Sequence, residues 1–172
     1  MPNPWRGIVA GATGGVGATV AMSAFQSLWT YAARRTHSGG ANGSGEEPAT
    51  ETMAGRLSKA FFGHELDKRQ TELAGTAFRF GFGTAVGAFY GAVAEFSPAI
   101  ARGDGVPFAT GLMAVSDEVA VPALGLSRAP RDRPTSAHLY TLCSHVVYGF
   151  VLETTRRAVR RALETDGERS FP

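Results

Sequence analysis

The sequence predicts an all-α integral membrane helical bundle, with about four membrane segments and an amphipathic helix in the first loop. Three observations carry that expectation. No charged residue occurs from Gly7 to Ala33, a run longer than the about 20 apolar residues that cross a hydrocarbon core. Glycines recur at a four-residue spacing in two separate apolar stretches, as Gly7, Gly11, Gly15 and again as Gly83, Gly87, Gly91. Arginines cluster where apolar stretches end, at Arg34-Arg35 and at Arg156, Arg157, Arg160 and Arg161, which is where membrane proteins keep them.

Residues 1–35 form the first segment. Trp5 and Trp29–Tyr31 stand near its ends, where aromatic rings favour the membrane interface. A single Arg6 ahead of the run and the small residues around Tyr31 also suit a cleaved signal peptide. The run is longer than such a peptide needs and later segments resemble it, so a retained helix is expected. Residues 36–72 hold a Gly/Ser linker and then, from Pro48, a helical pattern. Met53, Leu57 and Phe61 share one face, Arg56 and Lys59 flank it, and Gly63 is a natural stop. Such a stripe suits a helix lying on a membrane surface and equally one packed on the bundle.

Residues 73–161 supply the rest of the bundle. The second segment, Leu73 to Ile100, carries Arg79 near its start and Glu95 near its end. A tight connection, Ala101 to Gly105, leads to a third segment, Val106 to Ser127, interrupted by Ser116-Asp117-Glu118 and Pro122. The fourth, His138 to Thr155, runs into the arginine cluster, which suits anionic headgroups. Residues 162–172 form a polar tail. If all four segments cross, lysine and arginine fall almost evenly on the two sides. If the third re-enters at Pro122, the basic bias becomes pronounced, so the positive-inside rule favours an interrupted third segment.

The glycines admit another reading. Gly11-x-x-Gly14-x-x-Gly17 resembles a dinucleotide-binding loop, which would make the chain a soluble nucleotide-dependent oxidoreductase. That loop needs a strand before it and a second strand ending in a ribose-binding acid about twenty residues on. Only Ile8-Val9-Ala10 precedes the glycines, and Arg34-Arg35 follows no second strand. The recurrence at Gly83, Gly87 and Gly91 decides for helix packing, because small residues let backbones approach closely in lipid.

Composition removes other classes. A formal charge of +2 is too mild to argue for nucleic acid. With Cys143 as the single cysteine, no intrachain disulfide forms. No paired Glu-x-x-His motif supports a di-iron bundle. A haem held between two helices needs a second membrane histidine, whereas His37 and His64 lie in the first loop. Zinc on His145 with Asp117 or Glu118 is a weak alternative. Cys143 and Ser144 neighbour His145 in sequence but point to other faces of the helix, which gives nucleophilic catalysis no support. No cofactor and no catalytic residue is therefore expected.

Charges at membrane depth are costly and need partners. The candidates are Asp117 and Glu118 in segment three, His138, His145 and Tyr148 along one side of segment four, and Arg79 and Glu95 in segment two. In the functional reading, Asp117 or Glu118 exchanges a proton with His145. In the structural reading, Arg79, Glu95, Asp117, Glu118 and His145 pair across helices and fix their register. Arg79-x-x-Phe82-Gly83 is echoed by His145-x-x-Tyr148-Gly149, as a duplicated hairpin would produce.

Ser116-Asp-Glu-Val-Ala-Val-Pro-Ala-Leu-Gly-Leu-Ser127, then Pro134 and His138-Leu-Tyr, then Ser144-His145-Val-Val-Tyr148-Gly149 resemble the YagU-like family of bacterial inner-membrane proteins. The likeness is best from Gly75 to Arg161. It implies a multi-pass inner-membrane protein with a link to acid tolerance, and a histidine near the start of segment two where this chain has Arg79. The sequence thus points to the lipid bilayer as partner, with homo-oligomers through the glycine faces, and to proton- or acid-stress-linked transport or membrane organisation.

Overall fold

Glycine decides how the first two long apolar helices meet. The computed structural model describes residues 2–36, 49–63, 66–125 and 135–169, without the side chains of residues 36, 61, 62, 118, 122 and 166–169. Helix α1, Pro4–Thr36, runs antiparallel to α3, Lys68–Phe96. A Cβ built on Gly11 would fall on the Gly87 carbonyl oxygen and 2.8 Å from the Gly91 Cα, and one on Gly87 would lie 2.7 Å from the Gly15 Cα. Gly7 faces Gly91 and Gly15 faces Gly83 in the same manner. The two backbones therefore touch with no side chain between them. All six glycines are buried in this contact, so the face that the sequence offered to a second copy is used within one chain.

The same arrangement excludes the phosphate loop. Helix α1 runs unbroken through Gly11, Gly14 and Gly17, and no strand occurs among the described residues. A dinucleotide loop has here neither its strand nor its turn.

Helix α6, Thr135–Arg169, completes a three-helix core parallel to α3. The pairs Gly83–Tyr148, Tyr90–Glu153 and Glu95–Arg160 succeed one another along both helices. Between α3 and α6 the chain reverses through the 3-10 segment Pro98–Gly105. Gly103, Asp104 and Gly105 there take φ of 64°, 53° and 75°, a left-handed run that glycine adopts freely and aspartate tolerates. Helix α4, Val106–Val115, then returns against α6, where a Cβ on Gly149 would lie 2.6 Å from the Gly105 carbonyl oxygen and 2.7 Å from the Ala109 Cβ.

The third sequence segment is not a uniform helix. It passes through a π turn at Ser116–Ala120 into a single turn, α5, Val121–Ala123, and bends away at Gly125 with φ 63°. Pro122 accounts for the widened turn, because a proline has no amide to donate to the helix ladder. The Val121 amide bonds instead to the Ser116 carbonyl, five residues earlier.

Helix α2, Ala49–Phe62, lies along α3. Its inward face differs from the Met53–Leu57 stripe: Ala54 is buried and Glu51 sits against Gly75, while Leu57 is exposed. Gly63 ends it at φ 64°. Arg56 donates to the carbonyls of Leu124 and Gly125, which ties α2 to the end of α5. Helix α3 begins five residues before Leu73 because Asp67 and Gln70 form a reciprocal capping box, with bonds of 2.8 and 3.0 Å, the geometry that satisfies two orphan amides at once.

The interior is built from small residues. Ala10, Ala18, Ala94, Ala101 and Ala109 supply most of the buried apolar positions, joined by Tyr90, Tyr148 and Leu152. Large apolar side chains point outward instead: Trp5 is 71% exposed, Leu28 and Phe96 68%, Val115 65% and Phe89 63%. Among the described residues one helix, Pro4–Arg35, is long and apolar enough to cross a membrane, and only 33% of its most apolar stretch is buried. The other segments are diluted by glycine, Arg79, Glu95 and Asp117, so a bundle of four spans goes beyond what length and composition establish.

Candidate functional site

The π turn sets Asp117 opposite His145. His145 is fixed first by its own helix, with Nδ1 3.0 Å from the Thr141 carbonyl oxygen. A carbonyl only accepts, so Nδ1 carries the hydrogen and, in the neutral ring, Nε2 is bare. That nitrogen lies 3.5 Å from Asp117 Oδ2. The contact joins an imidazole nitrogen to a carboxylate oxygen across α6 and the π turn. The Ser116 hydroxyl donates to the Leu112 carbonyl at 2.8 Å and stands 3.4 Å from Asp117 Oδ1. The His145 side chain is 9% exposed and that of Asp117 28%, so the aspartate forms the outward end of the pair.

The other candidates go elsewhere. Tyr148 donates its hydroxyl to the Gly83 carbonyl at 2.8 Å, locking α6 onto the glycine face of α3. The two halves of the sequence echo thus touch one another. Arg79 Nη1 reaches Gln26 Oε1 at 2.9 Å and Ser23 Oγ at 3.4 Å on α1. Glu95 accepts from Arg160 and, at 3.0 Å, from the Asn3 amide. Arg79 and Glu95 stand toward opposite ends of α3 and do not pair. His138 is half-buried on α6, two turns before His145. The side chain of Glu118 lies outside the described residues.

The largest polar cluster escaped the sequence reading. Glu153 has no exposed surface. It accepts from the Tyr90 hydroxyl at 2.9 Å, from Arg156 at 2.7 and 2.8 Å, and from Arg157 at 2.6 Å. Arg157 also meets Asp104 at 2.7 Å, and Arg160 bonds Glu164 as well as Glu95. Hydrogen bonding to Glu153 raises Arg157 above the ordinary arginine value, and bonding to Glu95 does the same for Arg160. Three of the four arginines expected to face headgroups are thus paired with carboxylates, Arg157 while still 43% exposed, and Arg161 is exposed as well. The available signal was the spacing Glu153, Arg156, Arg157, since i+3 and i+4 neighbours share a helix face; nothing local marks the tyrosine that arrives from α3.

Among the described residues, no three His, Cys, Asp or Glu side chains converge as metal ligands. Ser144 donates to the Tyr140 carbonyl at 2.8 Å and faces away from the histidine–aspartate pair.

Over residues 55–154 the chain matches the family described as "Protein of unknown function (DUF1440)". No curated protein and no solved structure matches it. The matched span contains α3, α4, the π turn and the part of α6 that carries His145, Tyr148 and Glu153, and it leaves α1 outside.

Proposed function

The chain belongs to the DUF1440 family, and from that premise we propose a multi-pass bacterial inner-membrane protein in which Asp117 and His145 take up and release a proton. The observation that carries the membrane half is the inverted distribution of side chains, with alanine and glycine inside and phenylalanine, leucine, valine and tryptophan outside. A fully buried Phe or Leu is favoured over an exposed one by about 1.5–3 kcal/mol in water, so this surface suits lipid. Small residues at helix contacts are the corresponding membrane solution.

The dimensions agree. From Trp5 to Trp29 α1 advances about 36 Å, which sets both rings near the edges of an about 30 Å hydrocarbon core. Helices α1, α3 and α6 cross, and the shorter α4–π–α5 element forms the interrupted third segment. The resemblance to YagU-like proteins supports the same placement. A proton-binding pair within such a bundle fits a proton- or acid-stress-linked role in transport or membrane organisation.

Two measurements test this. Full-length protein is expected to stay in the membrane pellet after carbonate washing; release into the soluble fraction overturns the membrane reading. Asp117→Asn and His145→Ala are each expected to lower survival under acid challenge while membrane abundance stays at the wild-type level. A loss of abundance with survival in proportion makes the pair a register device and ends the proton role.

A further inference from the structure

We propose that the cleft between the C-terminal half of α1, the first turns of α3 and the start of α6 binds a phosphate group, with Arg79 and Arg34 as its cations. The cleft is open to the surface and has a volume of about 400 Å³, within the range of sites that hold a small ligand or a headgroup. Its lining includes both arginines and the phenols of Tyr31 and Tyr140, and no carboxylate. Trp29 packs on Tyr140 with ring centroids 5.9 Å apart, which closes one side by joining α1 to α6.

Arg79 is the centre of the argument. Its Nη1 bonds Ser23 and Gln26, both neutral, so the guanidinium is held in place without being neutralised. Among the described residues it has no ion pair, in contrast to Arg156, Arg157 and Arg160 at the other end of the bundle, each paired with a glutamate. Among the described residues its Nε and Nη2 donate to no protein group, which leaves them for a ligand. A guanidinium fork presented in this way matches phosphate oxygens in bidentate fashion. Arg34 adds a second charge at the exposed rim, and the phenols add donors. Along α1 the contacts of Arg79 lie about 5–9 Å inside Trp29.

On the membrane reading above, those contacts lie just inside the hydrocarbon edge while Arg34 stands about 8 Å outward of Trp29, so the cleft reaches the level of the lipid phosphates, and its phosphate comes from an anionic phospholipid or from a free phosphate compound. The experiment separates these sources. Full-length protein is stripped of lipid in maltoside micelles, which contain no phosphate, and titrated with phosphatidylglycerol or with inorganic phosphate. Saturable binding of at least one probe is expected, weakened about tenfold or more in Arg79→Gln. Arg79→Lys should recover part of the loss. Arg161→Gln, which removes the same charge at the opposite end, should bind as wild type. Saturation by phosphatidylglycerol alone assigns a lipid; saturation by inorganic phosphate with the same Arg79 dependence assigns a free anion. If Arg79→Gln fails to fold, Arg34→Gln at the exposed rim must show the weakening. The proposal is overturned if neither probe saturates, or if wild type and the arginine variants bind equally. Release by carbonate together with Arg79-dependent phosphate binding would end the membrane reading and leave the site standing.

Discussion

Gly87→Ala is expected to destabilise the protein by about 1–3 kcal/mol or more, while Gly81→Ala on the same helix is neutral or stabilises it by up to about 1 kcal/mol. The chemical change is identical and only the surroundings differ. A methyl group on Gly87 would fall on the Gly11 carbonyl oxygen and 2.7 Å from the Gly15 Cα. Both are backbone atoms of a long helix, so no side chain can swing aside. A methyl group at Gly81 meets nothing within 4 Å, and alanine there improves helix propensity. Unfolding titrations in mixed micelles give both numbers. Equal effects at the two positions would mean that α1 and α3 are not in backbone contact.

Removing the Glu153 carboxylate has an effect of similar or greater size. Glu153→Ala is expected to cost about 3–5 kcal/mol, the range for breaking one side of a buried ion pair. It leaves the Arg156 guanidinium, 11% exposed, without its carboxylate, and the enclosed Tyr90 hydroxyl without its acceptor. Glu164→Ala removes a carboxylate that is 56% exposed and should stay within about 0.5 kcal/mol of wild type. Because buried pairs are poorly screened, the Glu153 loss should persist when salt is raised. A Glu153 effect as small as that at Glu164, in the same titration, would refute the buried cluster.

These two positions also show what the sequence made legible. Periodicity located the glycine contact, because a four-residue spacing of residues without side chains has few uses in an apolar helix. It could not say whether the partner was another copy or another helix of the same chain; the matching length of the two runs allowed both. The segment around Pro122 was marked as interrupted, and the proline supplies the cause. Asp117 and His145 were singled out as charges needing partners; their meeting at 3.5 Å depends on the packing of α4 against α6, which the sequence does not show. In the sequence Glu153 resembles the carboxylate of an ordinary helix end, standing before Arg156 and Arg157. Its burial follows from Tyr90, sixty-three positions away in the chain, and a long-range contact of that kind leaves no local trace. The start of α3 was placed late because Asp67 and Gln70 cap it from within a polar stretch that has no apolar period.

The Glu153 cluster also imposes an order on biogenesis. A ribosome delivers α1 and α3 before α6, and those two can seat against each other through glycine alone. Until α6 emerges, Tyr90 lacks its acceptor, and Glu95 has the Asn3 amide but no cation. The nascent hairpin is therefore provisional, and the arginines of α6 act as a latch that closes last. A chain interrupted before that latch would carry an uncompensated carboxylate and phenol on the α3 face, the kind of defect by which quality-control proteases tell an unfinished protein from a finished one.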